Sequence, residues 1–153
     1  MKIALGSDHA GFELKEDLRV RLAGLKIEVL DLGAKDESPV DYPDIGASVA
    51  EKVSRGEVER GVLICGSGIG MSIGANRFPG VRAALCHDVY TSRMSREHND
   101  ANLLVLGGRL IEKGLAREIV KVWLATGFEG GRHQKRLDKI AALEKKITGN
   151  ARE

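Results

Sequence analysis

The chain has 153 residues, of which 42% are hydrophobic and 30% charged, with a formal net charge of +2. That length suits one domain with its own core, and the near-neutral balance gives no reason to expect nucleic acid or a membrane surface as partner. Apolar runs fall far short of a bilayer span, and Met1 leads straight into a strand-like segment without a signal-peptide pattern. Cys65 and Cys86 form neither a disulfide framework nor a CxxC motif, so a cytoplasmic location with free thiols is expected.

Residues 2–6 (KIALG) read as a short apolar strand that stops at Gly6. From Gly11 onward Leu14, Leu18, Leu22 and Leu25 recur at helical spacing, with Gly24 breaking the pattern. Residues 26–33 (KIEVLDLG) alternate as a strand would, and a loop rich in Asp, Ser and Pro runs from Lys35 to Pro43. Ile45, Val49 and Val53 place one stripe on a second helix that ends at Gly56. Residues 61–66 (GVLICG) are a continuous apolar run, the pattern of a parallel strand covered on both faces.

Residues 81–86 (VRAALC) and 102–107 (NLLVLG) read as two more strands, with a helix from Asp88 to about His98 between them. Ile111, Leu115, Ile119, Val122 and Trp123 mark a further helix. The last helix begins near Gly131 and carries Leu137, Ile140, Leu143 and Ile147 on one side. Repeated β-α-β units imply an α/β fold: a five-stranded parallel sheet between two helical layers, with a C-terminal helix. No repeat, low-complexity tract or linker divides the chain, so one domain over residues 1–153 is expected.

Ligands of such sheets sit at the carboxyl ends of the strands, near a topological switch point. The first strand delivers Ser7, Asp8 and His9 there, the third Cys65, Gly66 and Ser67, and the fourth Cys86, His87 and Asp88. In CGSGIG, glycines at 66, 68 and 70 let backbone amides approach an anion or a developing oxyanion. A dinucleotide fingerprint fits poorly: it wants an acid about twenty positions on, and Asp88 comes late. A buried cysteine is often a small hydrophobe, whereas a thiol beside a helix N-terminus can serve as a base or nucleophile; periodicity leaves both readings of Cys65 open. Cys86 lacks a glycine loop and reads as packing.

Asp8 before a helix is a natural N-cap, which explains one polar residue but not the adjacent His9. His98, in SREHNDAN, is weak evidence by itself. Arg132 and Arg136 in EGGRHQKR lie four apart after a Gly-Gly turn, suited to a phosphate, although a solvated basic face has the same spacing. No HExxH motif or Cys/His cluster suggests zinc, so no metal is expected.

Taken together, GSDHAGFELK, DYPD, CGSGIGMSIGANR, SREHNDAN and EGGRHQKR resemble the sugar-phosphate isomerase family that holds type B ribose-5-phosphate isomerases and galactose-6-phosphate isomerase subunits. The motifs occur in family order over roughly residues 2 to 145. The resemblance implies a Rossmann-like fold, interconversion of D-ribose 5-phosphate and D-ribulose 5-phosphate in the non-oxidative pentose phosphate pathway, and no cofactor. It also implies active sites shared between two subunits of a homodimer, or of a dimer of dimers.

By the same resemblance Cys65 is the base, with Ser67 assisting it. The family's other branch places a glutamate a few positions later, where this chain reads GMSIG. Asp8 is the shuttle between O1 and O2, and the amides of the Gly66–Gly70 loop, including Gly68 and Ile69, stabilise the oxyanion. His98 opens the sugar ring, while Asn99 and Tyr42 orient hydroxyls. His9, Arg132 and Arg136 hold the phosphate, with Arg109 contributing. His87 and Asp88 receive no step, and which subunit supplies His98, Asn99 and the arginines stays open. Two rivals remain: the same chemistry on a six-carbon sugar phosphate, and a non-catalytic module that only holds phosphate.

Overall fold

The structure, a computed structural model, describes residues 1–150. β1 (Lys2–Ser7) leads through a 3-10 turn at His9–Gly11 into α1 (Phe12–Gly24), followed by β2 (Glu28–Asp31) and α2 (Tyr42–Ser54). β3 (Arg60–Cys65), α3 (Ile69–Ala75), β4 (Ala83–Leu85), α4 (Val89–Glu97), β5 (Leu103–Gly107), α5 (Lys113–Ala125) and α6 (Arg132–Asn150) complete the chain. The strands form one sheet in the order β2-β1-β3-β5-β4, and every pairing is parallel. The expected α/β sandwich is therefore present.

Alternation along the central strands divides the core. Ile3, Leu5, Val62, Ile64, Leu104 and Leu106 face α1 and α5. Ala4, Leu63, Cys65, Leu103 and Val105 face α2 and α3. Because β1, β3 and β5 are covered on both sides, their interiors are apolar without interruption. Lys15 is the most deeply buried charge among the described residues: on α1, it donates to both carboxylate oxygens of Asp31, at 2.8 and 2.7 Å, and fastens α1 to β2.

Three expectations change. β2 is shorter than residues 26–33, because Lys26 adopts a positive φ of 59° before it and Gly33 one of 110° after it. β4 keeps only three residues of the expected 81–86. The Arg82 amide bonds the Asn102 side chain (2.8 Å), and Asn76 satisfies both the N–H and the C=O of Ala83, at 2.9 and 3.0 Å. Leu25 lies beyond the end of α1 and is exposed, so it is not part of the buried stripe. α6 carries its expected apolar stripe, but Ile140, Leu143 and Ile147 are exposed. No described helix is long and apolar enough to cross a membrane.

Trp123, the only tryptophan, is fully buried where α5 meets the sheet, with the guanidinium of Arg60 5.1 Å from its ring centre. Trp123→Ala should cost about 3–5 kcal/mol of unfolding free energy. Urea denaturation followed by circular dichroism measures it; a loss below about 1 kcal/mol would show that the α5 layer is held by other contacts.

Candidate active site

From β1 the chain passes through α1 to β2 on one side, then through α2 on the opposite face to β3 on the other side. The crevice between the carboxyl ends of β1 and β3 is thus the switch point of the sheet. Asp8 follows β1 and Cys65 ends β3. The Asp8 amide donates to the Ile64 carbonyl (3.1 Å), which ties the two strand ends together. Asp8 is a true cap, its Oδ1 accepting from the Gly11 amide at 3.0 Å. That bond uses one oxygen; Oδ2 has no hydrogen-bond partner among the described residues.

Cys65 is only 4% exposed and packs among the apolar residues on the α2–α3 side. Above it the chain turns through Gly66, Ser67 and Gly68. Gly68 has a φ of 80°, and a Cβ there would lie 2.5 Å from a Leu85 methyl and 3.1 Å from the Leu106 carbonyl carbon. Only glycine meets both demands. The Ile69 amide donates to Ser67 Oγ (3.2 Å), whereas the amides of Gly66, Ser67, Gly68 and Gly70 donate to no group among the described residues. Four free N–H groups on one tight turn are what an oxyanion requires.

Tyr42, the first residue of α2, lays its ring against this loop; its Oη is 2.8 Å from where a Cβ on Gly70 would be. Arg109, just beyond β5, places Nη1 3.1 Å from the Cβ position of Gly66. It shares a 680 Å³ cleft with His9, Glu13, Glu37 and Lys113. His9 accepts from the Val40 amide through Nδ1 (3.2 Å), so the neutral ring carries its proton on Nε2 and can donate it to an anion. Cys65 does not line this cleft.

The remaining candidates lie elsewhere. α4 returns from the carboxyl edge to the amino edge of the sheet, so His98, which caps its end, and Asn99 sit below β5 rather than above it. The Asn99 carbonyl accepts from Arg82, the residue before β4 (3.0 Å). α6 belongs to the same edge: Leu137 and Ile140 share a hollow with Val81, Arg82 and Asn99. Arg132 and Arg136 occupy its first turns and are exposed. β3 spans six residues. At about 3.3 Å per residue, roughly 20 Å of sheet separates the two groups, farther than one pentose phosphate reaches.

His133, which sequence reasoning passed over, stands against His98. It is buried, its ring stacks on His98 with centroids 4.1 Å apart, and its Nε2 lies 3.4 Å from the Glu129 carboxylate. Burial, and then the nearby His98, hold its pKa below the ordinary histidine value. Asp88 caps α4 by accepting from the Thr91 amide (2.6 Å), His87 is exposed, and Cys86 is buried, which raises its thiol pKa.

Residues 3–140 match the Ribose/Galactose Isomerase family. The chain belongs to that family. It is 46% identical over 145 residues to ribose-5-phosphate isomerase B of Escherichia coli, covering 95% of this chain and 97% of the relative. Among solved structures, ribose-5-phosphate isomerase B of Clostridium thermocellum superposes with a TM-score of 0.94 at 52% identity, over 96% of this chain and 99% of that one. The Mycoplasma genitalium ribose-5-phosphate isomerase B, crystallised with bound ribulose-5-phosphate, superposes at 0.91 with 40% identity, over 94% and 96% of the two chains.

For this family member the loop geometry makes a direct test. Gly70→Ala would drive its Cβ into the Tyr42 ring, whereas Gly74, in the same helix, has nothing within 4 Å of a Cβ position. Gly70→Ala should lower isomerase kcat/KM by about tenfold, equivalent to ~1.4 kcal/mol, with Gly74→Ala close to wild type. Equal effects of the two would mean that Tyr42 does not bear on the site.

Proposed function

We propose that the protein interconverts D-ribose 5-phosphate and D-ribulose 5-phosphate through a cis-enediolate, at sites shared between the two subunits of a cytoplasmic homodimer. The observation that carries this reading is Cys65 at the switch point beneath four unoccupied loop amides, with Asp8 on the neighbouring strand end. The family relationship supports it.

The chemistry is redox-neutral within the sugar. His98 moves the anomeric hydroxyl proton to the ring oxygen, opening the furanose to the aldehyde. The Cys65 thiolate removes the proton from C2, and the electron pair of that C–H bond becomes the C1–C2 double bond as charge moves onto O1. The free amides of Gly66, Ser67, Gly68 and Gly70 stabilise that charge; Ile69, expected to join them, instead spends its N–H on Ser67 Oγ. Asp8 protonates O1, then accepts the proton of O2 through its uncommitted oxygen. Cys65 returns its proton to C1, which completes the ketose. His9 and Arg109 bind phosphate from one subunit, Arg132 and Arg136 from the other, and Tyr42 and Asn99 orient hydroxyls.

A second copy is needed because His98, Asn99 and the α6 arginines lie at the wrong edge to serve their own Cys65. A two-fold dimer brings the amino edge of one chain to the carboxyl edge of the other, and does so twice. The exposed Ile140, Leu143 and Ile147 of α6 supply apolar surface for such an association.

With chelator present, the wild type should convert ribose 5-phosphate, and Cys65→Ala should lose about 10²–10⁴-fold in kcat. Unchanged turnover would remove Cys65 from the role of base. Sharing of the site is tested by refolding Cys65→Ala together with His98→Asn, each expected to be nearly inactive alone. Random pairing yields hybrids with one intact site, hence roughly a quarter of wild-type activity. Confirmed hybrids without recovery would place both residues in the site of one chain.

A further inference from the structure

We propose that His98, Glu129 and His133 form a binding site for a divalent transition-metal ion of the zinc type, and that metal bound there inhibits the isomerase. The inhibitory half rests on the role given above to His98; the site itself does not. The three side chains bring one ligand atom each within 4.8 Å of one another. Two imidazoles and a carboxylate are a donor set suited to zinc, with a fourth position left for water.

The strongest sign is His133. Its Nε2 is fully buried and makes no hydrogen bond, and the Glu129 carboxylate lies 3.4 Å away. An unpartnered buried nitrogen is costly, and a metal ligand accounts for it. With zinc–ligand bonds near 2.0–2.1 Å, the edge of a tetrahedron is about 3.3 Å, so His133 and Glu129 already stand at ligand spacing. Gly130 and Gly131, both at positive φ, fold the chain so that Glu129 faces the first turn of α6, and the Glu129 amide anchors to the Glu97 carbonyl (3.1 Å).

His98 must move. While its ring lies parallel to His133, at an interplanar angle of 12°, no ion can lie in both ring planes. His98 is half-buried at the end of α4 and can turn out of the stack, and Glu129, with its side chain 54% exposed, opens the route from solvent. Once ligated, His98 has no free nitrogen pair for proton transfer at the sugar ring. Arg132 and Arg136 oppose a cation from the same turns of α6, but both are exposed and screened.

Zinc titrated calorimetrically into the full-length protein should bind one ion per chain. Glu129→Gln and His133→Gln should each weaken that binding at least tenfold, with the fold retained by circular dichroism. Cobalt in place of zinc should give the visible bands of a nitrogen–oxygen site without a thiolate charge-transfer band. Zinc should inhibit the wild type, whereas Glu129→Gln, with unaltered basal turnover, should need at least tenfold more. Absent binding, unchanged affinity in both variants, or a thiolate band from Cys65 or Cys86 would overturn the site. Loss of binding in the variants together with wild-type turnover indifferent to zinc would leave the site standing and overturn its inhibitory role.

Discussion

Everything at the carboxyl edge depends on backbone docked against backbone. The Gly108 amide donates to the Cys65 carbonyl at 2.7 Å and the Arg109 amide to the Gly66 carbonyl at 3.0 Å. The turn after β3 is therefore held by main-chain bonds from the turn after β5. Those bonds engage the carbonyls of Cys65 and Gly66 and leave the N–H groups of the same two peptides, on Gly66 and Ser67, without an acceptor among the described residues. The direction of the amides, and so the sign of charge the site welcomes, follows from which half of each peptide is already engaged. Side chains then need only be placed around a fixed electrostatic centre.

In the proposed mechanism several of those side chains do two jobs. Asp8 caps the turn that starts α1 with one oxygen and keeps the other free, so its orientation is set by the fold before any substrate arrives. His9 is aligned in the same way by the Val40 amide, which also fixes its tautomer. Fixed polar groups aimed where charge develops avoid reorganisation during the reaction. Structural and chemical explanations of such residues are therefore not alternatives: Asp8 is the N-cap its position suggests, and the cap leaves room for the proposed second role.

The sheet was legible in the sequence because β1, β3 and β5 are buried on both faces and announce themselves as apolar runs. Cys65 and Asp8 could be placed together because both follow strands and strand ends share an edge. The edge strands were over-read, since Arg82 and Lys26 have strand-like neighbours but bond or turn elsewhere. The separation of His98 from Cys65 was written in SREHNDAN, which precedes a strand instead of following one. The position of α6 was not: no pattern tells where a helix after the last strand will lie. His133 was invisible for that reason, since its meaning comes from a ring in α4 and a carboxylate across two glycines.

Asn76, by contrast, carries a consequence for how the molecule associates. Its side-chain amide pairs with both polar groups of Ala83 on the outer strand β4, as a neighbouring strand would. The ladder at that position is closed from within the chain, and a strand from another molecule finds no free donor or acceptor there. Growth of the sheet across molecules is hindered at this position, which disfavours edge-to-edge polymerisation through it.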